Sequence, residues 1–323
     1  MSESTRNRSP TPETILRRLE WTVIRRLDGV LHGDYRTLFR GYGLDFADLR
    51  EYAYGDDVRH IDWNVTARLQ TPYVREYYEE REVAGWFLLD LSASVDFGST
   101  VQKKQAVSAE FVSVLARILT RHGNRVGALL YGDRVDTVIP ARSGRRQVLH
   151  LLSKMLARPA RTQSAATNLR DLLDTAYRAT PRRSLIFVVS DFISTPGWAE
   201  PLAHLARRHD VVAIRLYDPL EMDVPDLGMV VMQDAETGEQ LFVDTHDRGF
   251  RKRFEDAAKR RETELRSAFR IAGVDALELA TNDNLVDAIL RFADLRKRRS
   301  QLATGGGLPA HLGAPPVAAK APA

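Results

Sequence analysis

The chain has 323 residues, of which 44% are hydrophobic, and its 47 basic and 43 acidic residues give a formal net charge of +4. This length suits one large domain with an accessory region, and the near balance of charge permits nucleic-acid binding without implying it. The absence of cysteine excludes disulfides, thiolate zinc sites, iron–sulfur clusters and cysteine nucleophiles. Hard cations bound by oxygen ligands remain possible.

The first quarter of the chain divides into an arm and an accessory segment. Residues 1–13 are polar and are predicted to form a flexible arm. The accessory segment, 14–82, opens with apolar residues at helical spacing over 14–31, which predict an amphipathic helix. A block at 41–83 is rich in aromatic and charged residues but has no regular period, so we expect an irregular, well packed region against the main domain.

No part of the sequence suggests export or membrane insertion. The N-terminus lacks the apolar core of a signal peptide, and no run approaches the ~18 apolar residues of a membrane-spanning helix. We therefore expect a cytoplasmic protein without a membrane span.

From Gly85 onward, apolar strands alternate with amphipathic helices, which predicts an α/β fold with a doubly wound, mostly parallel sheet over residues 83–300. The predicted parallel strands are 85–90, 125–131, 184–190, 211–216 and 276–279. The predicted helices are about 101–121, 145–156, 168–178, 198–208, 247–271 and 283–299. An edge strand at 135–139 is expected to run antiparallel after a tight turn at Gly132-Asp133. Two short runs, 229–232 and 240–243, predict a β-hairpin insertion near 218–245, and the low-complexity tail 301–323 is predicted to be disordered.

The pattern Asp90-x-Ser92-x-Ser94 follows the most apolar predicted strand, 85–90. A carboxylate and two hydroxyls at the end of a buried strand offer oxygen ligands to a hard cation. Mg²⁺ takes about six oxygen ligands, retains several waters and uses only one or two protein carboxylates. The pattern therefore predicts part of a metal site, and further ligands are expected downstream.

Two later residues are candidates for the rest of the shell. If the strand order is 3-2-1-4-5-6, strands 85–90 and 184–190 are neighbours where the order reverses, and ligands bind in the crevice outside their carboxyl ends. Asp191 then faces Asp90, and Thr167 can reach the same place from its loop. The predicted metal ligands are Asp90, Ser92, Ser94, Thr167 and Asp191, around Mg²⁺ or another divalent cation such as Mn²⁺ or Ca²⁺. So few carboxylates leave the ion able to accept one from a partner protein.

A simpler interpretation of these residues is turn chemistry. Ser92 and Ser94 are common turn residues, and Asp191 can be an ordinary loop carboxylate after a strand. The placement of the pattern at a buried strand end favours the metal site. Asp96 and Ser99, nearby, are expected to serve the turn or to cap the next helix.

The motif Asp90-Leu-Ser-Ala-Ser94, with Thr167 and Asp191, resembles the metal-ion-dependent adhesion site (MIDAS) of von Willebrand factor A-type (VWA) domains. Two positions depart from the usual pattern. Val95 stands where Met is frequent, and Phe192 stands where many such domains have Gly. Neither departure removes a predicted ligand, although Phe192 can alter access to the crevice.

Three further stretches, GLDFADLREY at 43–52, YGDDVRHIDWN at 54–64 and REYYEERE at 75–82, resemble the signature of the bacterial family catalogued as domain of unknown function 58 (DUF58). The resemblance extends from about residue 14 to 300. Members often occur beside an AAA+ ATPase of the MoxR type, in a chaperone-like pair for metal insertion or complex maturation. The resemblance thus implies a non-enzymatic, metal-dependent interaction protein whose partners are such an ATPase and a client presenting an acidic residue, with no nucleic acid expected.

The main alternative is a metal-dependent hydrolase, since His with clustered carboxylates suits metal-assisted hydrolysis. Its candidate residues are Asp56, Asp57, His60 and Asp62. Interleaved arginines offer internal ion pairs, so a structural scaffold is favoured, and Trp63 is expected to serve packing and not base stacking. No nucleotide-binding Gly-x-x-x-x-Gly-Lys loop or Gly-x-Ser-x-Gly nucleophile motif occurs, so we expect no enzyme. The basic run 296–299 is interpreted as charge at the end of the last helix.

Overall fold

The protein is described by a computed structural model over residues 11–24, 27, 48–53, 58, 61–76, 84–99, 102–158, 167–233 and 239–303. Its strands are β1 (Asp48–Glu51), β2 (Tyr73–Glu76), β3 (Ala84–Asp90), β4 (Arg125–Tyr131), β5 (Val135–Arg142), β6 (Leu185–Ser190), β7 (Asp210–Tyr217), β8 (Met229–Gln233), β9 (Gln240–Asp244) and β10 (Asp275–Ala280). Its helices are α1 (Pro12–Leu19), α2 (Trp63–Leu69), α3 (Lys104–Arg121), α4 (Arg145–Leu156), α5 (Leu169–Ala179), α6 (Ala199–Arg208), α7 (Arg248–Ala272) and α8 (Leu285–Ala303).

A six-stranded sheet with the order β10-β7-β6-β3-β4-β5 forms the centre of the fold. Only the β4–β5 pair is antiparallel, and the other neighbours run parallel. The chain builds the sheet outward from β3 to β5 and then returns to add β6 on the other side of β3. This arrangement confirms the predicted α/β fold and its strand order, and the reversal lies between β3 and β6.

Helices cover both faces of the sheet, which explains why the central strands are apolar without alternation. Successive strand residues point to opposite faces, so Phe87 and Leu89 enter one core while Leu88 enters the other. The first core contains residues of α1, α3, α4 and α8, and the second contains residues of α5, α6 and α7. Every residue from Phe87 to Asp90 is buried as a result.

The first helix changes its hydrogen-bond pattern along its length. Thr11 caps α1, which continues after Leu19 as a π-helical turn over Glu20–Ile24, and Leu27 is again helical; the other residues of the predicted helix 14–31 lie outside the described part of the chain. The apolar side chains of Ile15, Leu16 and Leu19 lie in the core formed with α3 and α4, so the predicted buried face is confirmed.

The accessory block is more regular than predicted wherever the structure describes it. Strands β1 and β2 pair antiparallel, and α2 lies between them in the chain. These strands are only four residues long and carry charges, so they show no alternation of apolar residues. Trp63 begins α2 and is 69% exposed, so the packing role predicted for it is wrong.

The insertion after β7 contains the predicted hairpin, in which β8 and β9 pair from Met229–Asp244 to Gln233–Gln240. Its turn at 234–238 lies outside the described residues, as do the N-terminal residues 1–10 and the tail from 304. Among the helices that the structure describes, none is both long and apolar enough to cross a membrane.

Arg296 has a different role from the one predicted. Helix α8 continues to Ala303, so Arg296 does not lie at the helix end. Its guanidinium is buried and contacts Asp210 (3.0 Å) and Asp275 (3.2 Å), the first residues of β7 and β10. This ion pair joins two neighbouring strands at the edge of the sheet opposite their carboxyl ends.

His209 is a buried neutral group at the junction of α6 and β7. Its Nδ1 accepts a hydrogen bond from the backbone N–H of Ser184 at 3.2 Å, and only 3% of the residue is exposed. Burial, together with the nearby Arg208 and Arg183, lowers the pKa of His209 from 6.5 to about 4. The imidazole is therefore uncharged in the folded chain across the neutral range.

We expect the contribution of His209 to the free energy of unfolding to fall as the pH drops from 6.5 towards 4. The unfolded chain binds a proton on His209 in this window and the folded chain does not, which costs at most about 1.4 kcal/mol per pH unit. The raised pKa of Asp90 acts with the opposite sign over the same range, so the wild type is compared with His209→Gln, which retains an acceptor for Ser184. Urea unfolding of both proteins at pH 7 and 5.5 measures the difference. The drop in pH should be less destabilising for the variant than for the wild type, and an equal change in both would contradict the assignment.

Candidate metal site

Asp90 is the last residue of β3, and its side chain is fully buried. Its Oδ1 accepts a hydrogen bond from the backbone N–H of Ser92 at 3.0 Å, and its Oδ2 accepts one from the hydroxyl of Ser190 at 2.6 Å. Because Ser190 is the last residue of β6, the carboxylate is held across the junction of the two central strands. This junction is where the strand order reverses.

Ser92 and Ser94 follow Asp90 in a short 3₁₀ turn, Ala93–Asp96. Their hydroxyl oxygens are 3.1 Å apart, and both residues are buried. The backbone N–H of Leu91 donates to the carbonyl of Tyr131 at 2.8 Å, which fixes this turn to the end of β4. The motif therefore presents two neighbouring hydroxyl oxygens beside the Asp90 carboxylate, as the sequence predicts.

Asp191 follows β6 directly and is 3% exposed. Its Oδ1 accepts a hydrogen bond from the backbone N–H of Ile193 at 3.0 Å, and its Oδ2 accepts one from the ammonium group of Lys104 at 2.8 Å. Asp90 and Asp191 thus end two adjacent parallel strands, which is the placement that the predicted strand order requires.

Thr167 is joined to the loop that follows Asp191. Its carbonyl accepts hydrogen bonds from the hydroxyl of Ser194 and the backbone N–H of Thr195, both at 2.9 Å, in that loop. The next residue, Asn168, donates its backbone N–H to the phenol oxygen of Tyr131, the last residue of β4, at 2.9 Å. Thr167 is 1% exposed, so all five predicted ligands are buried, and each lies on a segment that follows, or is bonded to, the carboxyl end of a central strand.

The buried charge of Asp90 favours a bound cation, whereas Asp191 already pairs with the ammonium group of Lys104. Burial, and then repulsion from Asp191, raise the pKa of Asp90 from 3.8 to about 6, although hydrogen bonds from Ser190 and Ser92 act in the opposite direction. Near neutral pH the folded protein therefore keeps a negative charge in a place that disfavours it. A cation bound between the two carboxylates would offset this cost.

The donor set fits a hard divalent cation. All five predicted ligands offer oxygen, and within the described residues no three His, Asp or Glu side chains converge as metal ligands. A shell with two carboxylates and three hydroxyls suits Mg²⁺ better than zinc or copper, which favour His and Cys.

Three side chains that support the site were missed by sequence reasoning. Ser190 holds Asp90, while Lys104 contacts both Asp191 and Glu221, the latter at 2.6 Å. The position of Ser190 at the end of the second central strand marks it as a neighbour of Asp90. No local motif identifies Lys104 or Glu221, because their contact joins residues 117 positions apart.

Ser99 does not cap the following helix as predicted. Its backbone N–H donates to Asp218 at 2.8 Å, and its hydroxyl donates to the same carboxylate. Asp218 also accepts a hydrogen bond from the hydroxyl of Thr281 at 2.8 Å. Lys103 is the residue that precedes α3, and it makes no side-chain capping bond; Asp96 pairs with it at 3.1 Å.

Of the four residues of the alternative hydrolytic site, the structure describes only Asp62. Asp62 caps α2, and its Oδ1 accepts hydrogen bonds from the backbone N–H groups of Asn64 (3.0 Å) and Val65 (3.3 Å). Asp56, Asp57 and His60 lie outside the described residues. The described part of this cluster therefore has a structural role.

Phe192, where many VWA domains have Gly, has a left-handed backbone with φ of 58°. This conformation is costly for a bulky residue. Its ring packs 4.9 Å from that of Phe269 and 5.3 Å from that of Trp198, measured between centroids, and Phe192 is 6% exposed. The aromatic cluster offsets the strain and anchors the loop that follows Asp191 to the α7 side of the sheet.

Comparisons with known sequences extend over most of the chain. A family model described as "Protein of unknown function DUF58" matches residues 48–264. An uncharacterized protein of Mycobacterium tuberculosis H37Rv is 35% identical over 291 residues, which cover 90% of this chain and 91% of the relative. An uncharacterized protein of Mycobacterium bovis has the same identity and coverage.

Solved structures share less with this chain. BatB from Bacteroides thetaiotaomicron has a TM-score of 0.44 at 17% identity, over 67% of this chain and 99% of that one. An aerotolerance-related membrane protein from Bacteroides fragilis has a TM-score of 0.46 at 14% identity, with the same coverage. The manganese-loaded TRAP protein of Plasmodium vivax has a TM-score of 0.32 at 17% identity, over 42% and 57%. Likenesses this distant carry no information about ligands or partners.

We expect Ser190→Ala to destabilise the metal-free protein by about 2–4 kcal/mol, because it leaves both Asp90 Oδ2 and the backbone N–H of Phe192 without their hydrogen bonds. Ser108→Ala is the matched control, since Ser108 is equally buried and its hydroxyl has no hydrogen-bond partner within the described residues. Urea unfolding in EDTA measures both. Equal effects of the two changes would contradict the role of Ser190.

At Phe192, we expect Gly to be less damaging than Ala. Both changes remove the ring from the aromatic cluster, which should lower the free energy of unfolding by about 3–5 kcal/mol. Ala should cost about 1 kcal/mol more than Gly, because a left-handed backbone strains Ala but not Gly. Thermal unfolding of the two variants distinguishes the contributions. An Ala variant more stable than the Gly variant would show that this residue is not strained in solution.

Proposed function

The chain belongs to the DUF58 family, and from this membership and the geometry of the strand ends we propose a non-enzymatic, metal-dependent protein-interaction function. The protein would act as a chaperone-like adaptor with a MoxR-type AAA+ ATPase in the assembly or maturation of other proteins. The observation that carries the proposal is the pair of buried carboxylates, Asp90 and Asp191, at the ends of adjacent strands beside the hydroxyls of Ser92 and Ser94.

In this proposal the site is a MIDAS, and the cation is Mg²⁺, Mn²⁺ or Ca²⁺. Asp90 and Asp191 would supply the negative charge, and Ser92, Ser94 and Thr167 would supply neutral oxygens. When bound, the cation offers an electrophilic position to an additional carboxylate. The protein would therefore bind a client that presents an acidic side chain.

The hydrogen bonds of Ser190, the nearest potential nucleophile, support a binding function over a catalytic one. Ser190 lies beside Asp191, but its hydroxyl donates to Asp90 and accepts a hydrogen bond from the backbone N–H of Phe192 at 2.9 Å. Among the described residues, its neighbours include no His that could act as a base. Action beside an ATP-driven partner would place the protein in the cytoplasm, where ATP is available.

We expect Asp90→Ala to abolish both divalent-cation binding and capture of the MoxR-type ATPase or its client. The change removes a charged ligand and the acceptor for Ser190, whereas Asp96→Ala removes a carboxylate only six positions away that pairs with Lys103. A pull-down of each variant from cell extract, with Mg²⁺ and with EDTA, measures capture.

Capture should require Mg²⁺ and survive Asp96→Ala, and circular dichroism should show that Asp90→Ala remains folded. Undiminished capture in EDTA, or by folded Asp90→Ala, would overturn the proposed function.

A further inference from the structure

Lys104 is an unusual residue for its position. It is the first residue of α3, where the positive end of the helix dipole disfavours a cation, and it is 1% exposed. Its ammonium group lies 2.8 Å from Oδ2 of Asp191 and 2.6 Å from Oε1 of Glu221. Two carboxylates therefore hold it in a place where neither burial nor the helix favours a cation.

The contact with Asp191 involves a predicted metal ligand. Lys104 donates to Oδ2 of Asp191 at 2.8 Å, while Oδ1 is occupied by the backbone N–H of Ile193. A divalent cation near Asp191 would compete with the ammonium group of Lys104 for this carboxylate. It would also repel the ammonium group, because both are positively charged. Divalent-cation binding and the Lys104–Asp191 ion pair therefore oppose each other.

The contact with Glu221 leads to the insertion after β7. Glu221 ends the 3₁₀ turn Pro219–Glu221; its Oε1 accepts a hydrogen bond from Lys104 at 2.6 Å, and its Oε2 accepts one from the backbone N–H of Asp218 at 3.2 Å. The carbonyl of Glu221 accepts a hydrogen bond from Arg261 of α7 at 3.1 Å. This turn is thus joined to α7, and the chain continues from it into the β8–β9 hairpin.

We propose that Lys104 is a positioning residue that couples occupancy of the Asp90–Asp191 site to the Pro219–Glu221 turn at the base of the hairpin insertion. The inference rests on the proposed function, because it concerns the same site. With a divalent cation bound, the repelled ammonium group leaves Asp191 and pairs with Glu221 alone, which stabilises the turn. By thermodynamic linkage, an interaction that stabilises this turn also favours the bound cation.

The coupling predicts changes of opposite sign in cation affinity. Lys104→Met removes the competing ammonium group and should lower the dissociation constant for Mg²⁺ or Mn²⁺ at least fivefold. Glu221→Gln leaves Lys104 with Asp191 as its remaining carboxylate and should raise that constant by a similar factor. Asp226→Asn is the control for loss of an acidic charge in the same insertion, because Asp226 pairs with Arg251 at 2.8 Å and not with Lys104, and it should leave the constant unchanged.

Isothermal titration calorimetry of the full chain with MgCl₂ and MnCl₂ measures these constants. Hydrogen–deuterium exchange of residues 218–222, with and without Mg²⁺, reports on the turn. Exchange there should slow on cation binding in the wild type, and this response should be lost in Lys104→Met. If that variant does not fold, Glu221→Gln decides, since it alters a side chain that is already 17% exposed.

The two proposals fail in different ways. If the wild type binds neither of these cations, nor Ca²⁺ in the same titration with CaCl₂, the proposed metal-dependent function is wrong, and the coupling is wrong with it. If the wild type binds a cation and Asp90→Ala does not, but Lys104→Met and Glu221→Gln both stay within twofold of the wild type, the coupling alone is wrong. Lys104 would then be a structural counter-ion.

Discussion

Two carboxylates that repel each other are held together at the centre of this molecule, and much of the surrounding structure restrains them. Asp90 and Asp191 end adjacent parallel strands, so the backbone pairing of β3 with β6 fixes their proximity. Their negative charges are relieved by a few directed groups: the hydroxyl of Ser190, the ammonium group of Lys104 and nearby backbone N–H groups. The structure tolerates the repulsion between the two carboxylates because separating β3 from β6 would disrupt both hydrophobic cores.

The edge of the sheet that carries these carboxylates differs from the opposite edge. At the starts of β7 and β10, Asp210 and Asp275 share the buried guanidinium of Arg296. At the carboxyl ends, Asp191 and Glu221 share the ammonium group of Lys104 in the same way, but the carboxylate of Asp90 is held by hydroxyl and amide groups. The carboxyl ends therefore carry one more buried carboxylate, whose charge a ligand could balance.

The sheet could be predicted from the sequence because its signals are local. The runs that became β3 and β6 are uninterrupted apolar segments ending in Asp, and the alternation with helices led to the correct strand order. The supporting groups could not be predicted in this way, since the contact of Lys104 with Glu221 joins residues 117 positions apart. Arg296 was misplaced because a basic run resembles a helix end, and Trp63 because an aromatic residue resembles core; in both cases the three-dimensional environment decided the role.

Because the strand order reverses at β3, the site can form only after β6 has paired with β3. Strands β3, β4 and β5 follow one another closely along the chain, but the hydrogen bond between Ser190 and Asp90 closes a separation of 100 positions. Contacts of this range form late, because closing long loops costs entropy before any contact rewards it. β3 pairs with β4 on one side and with β6 on the other, so a chain that has formed only the β3–β4 pair lacks the site. Only a chain with both central strands in place brings the two carboxylates together.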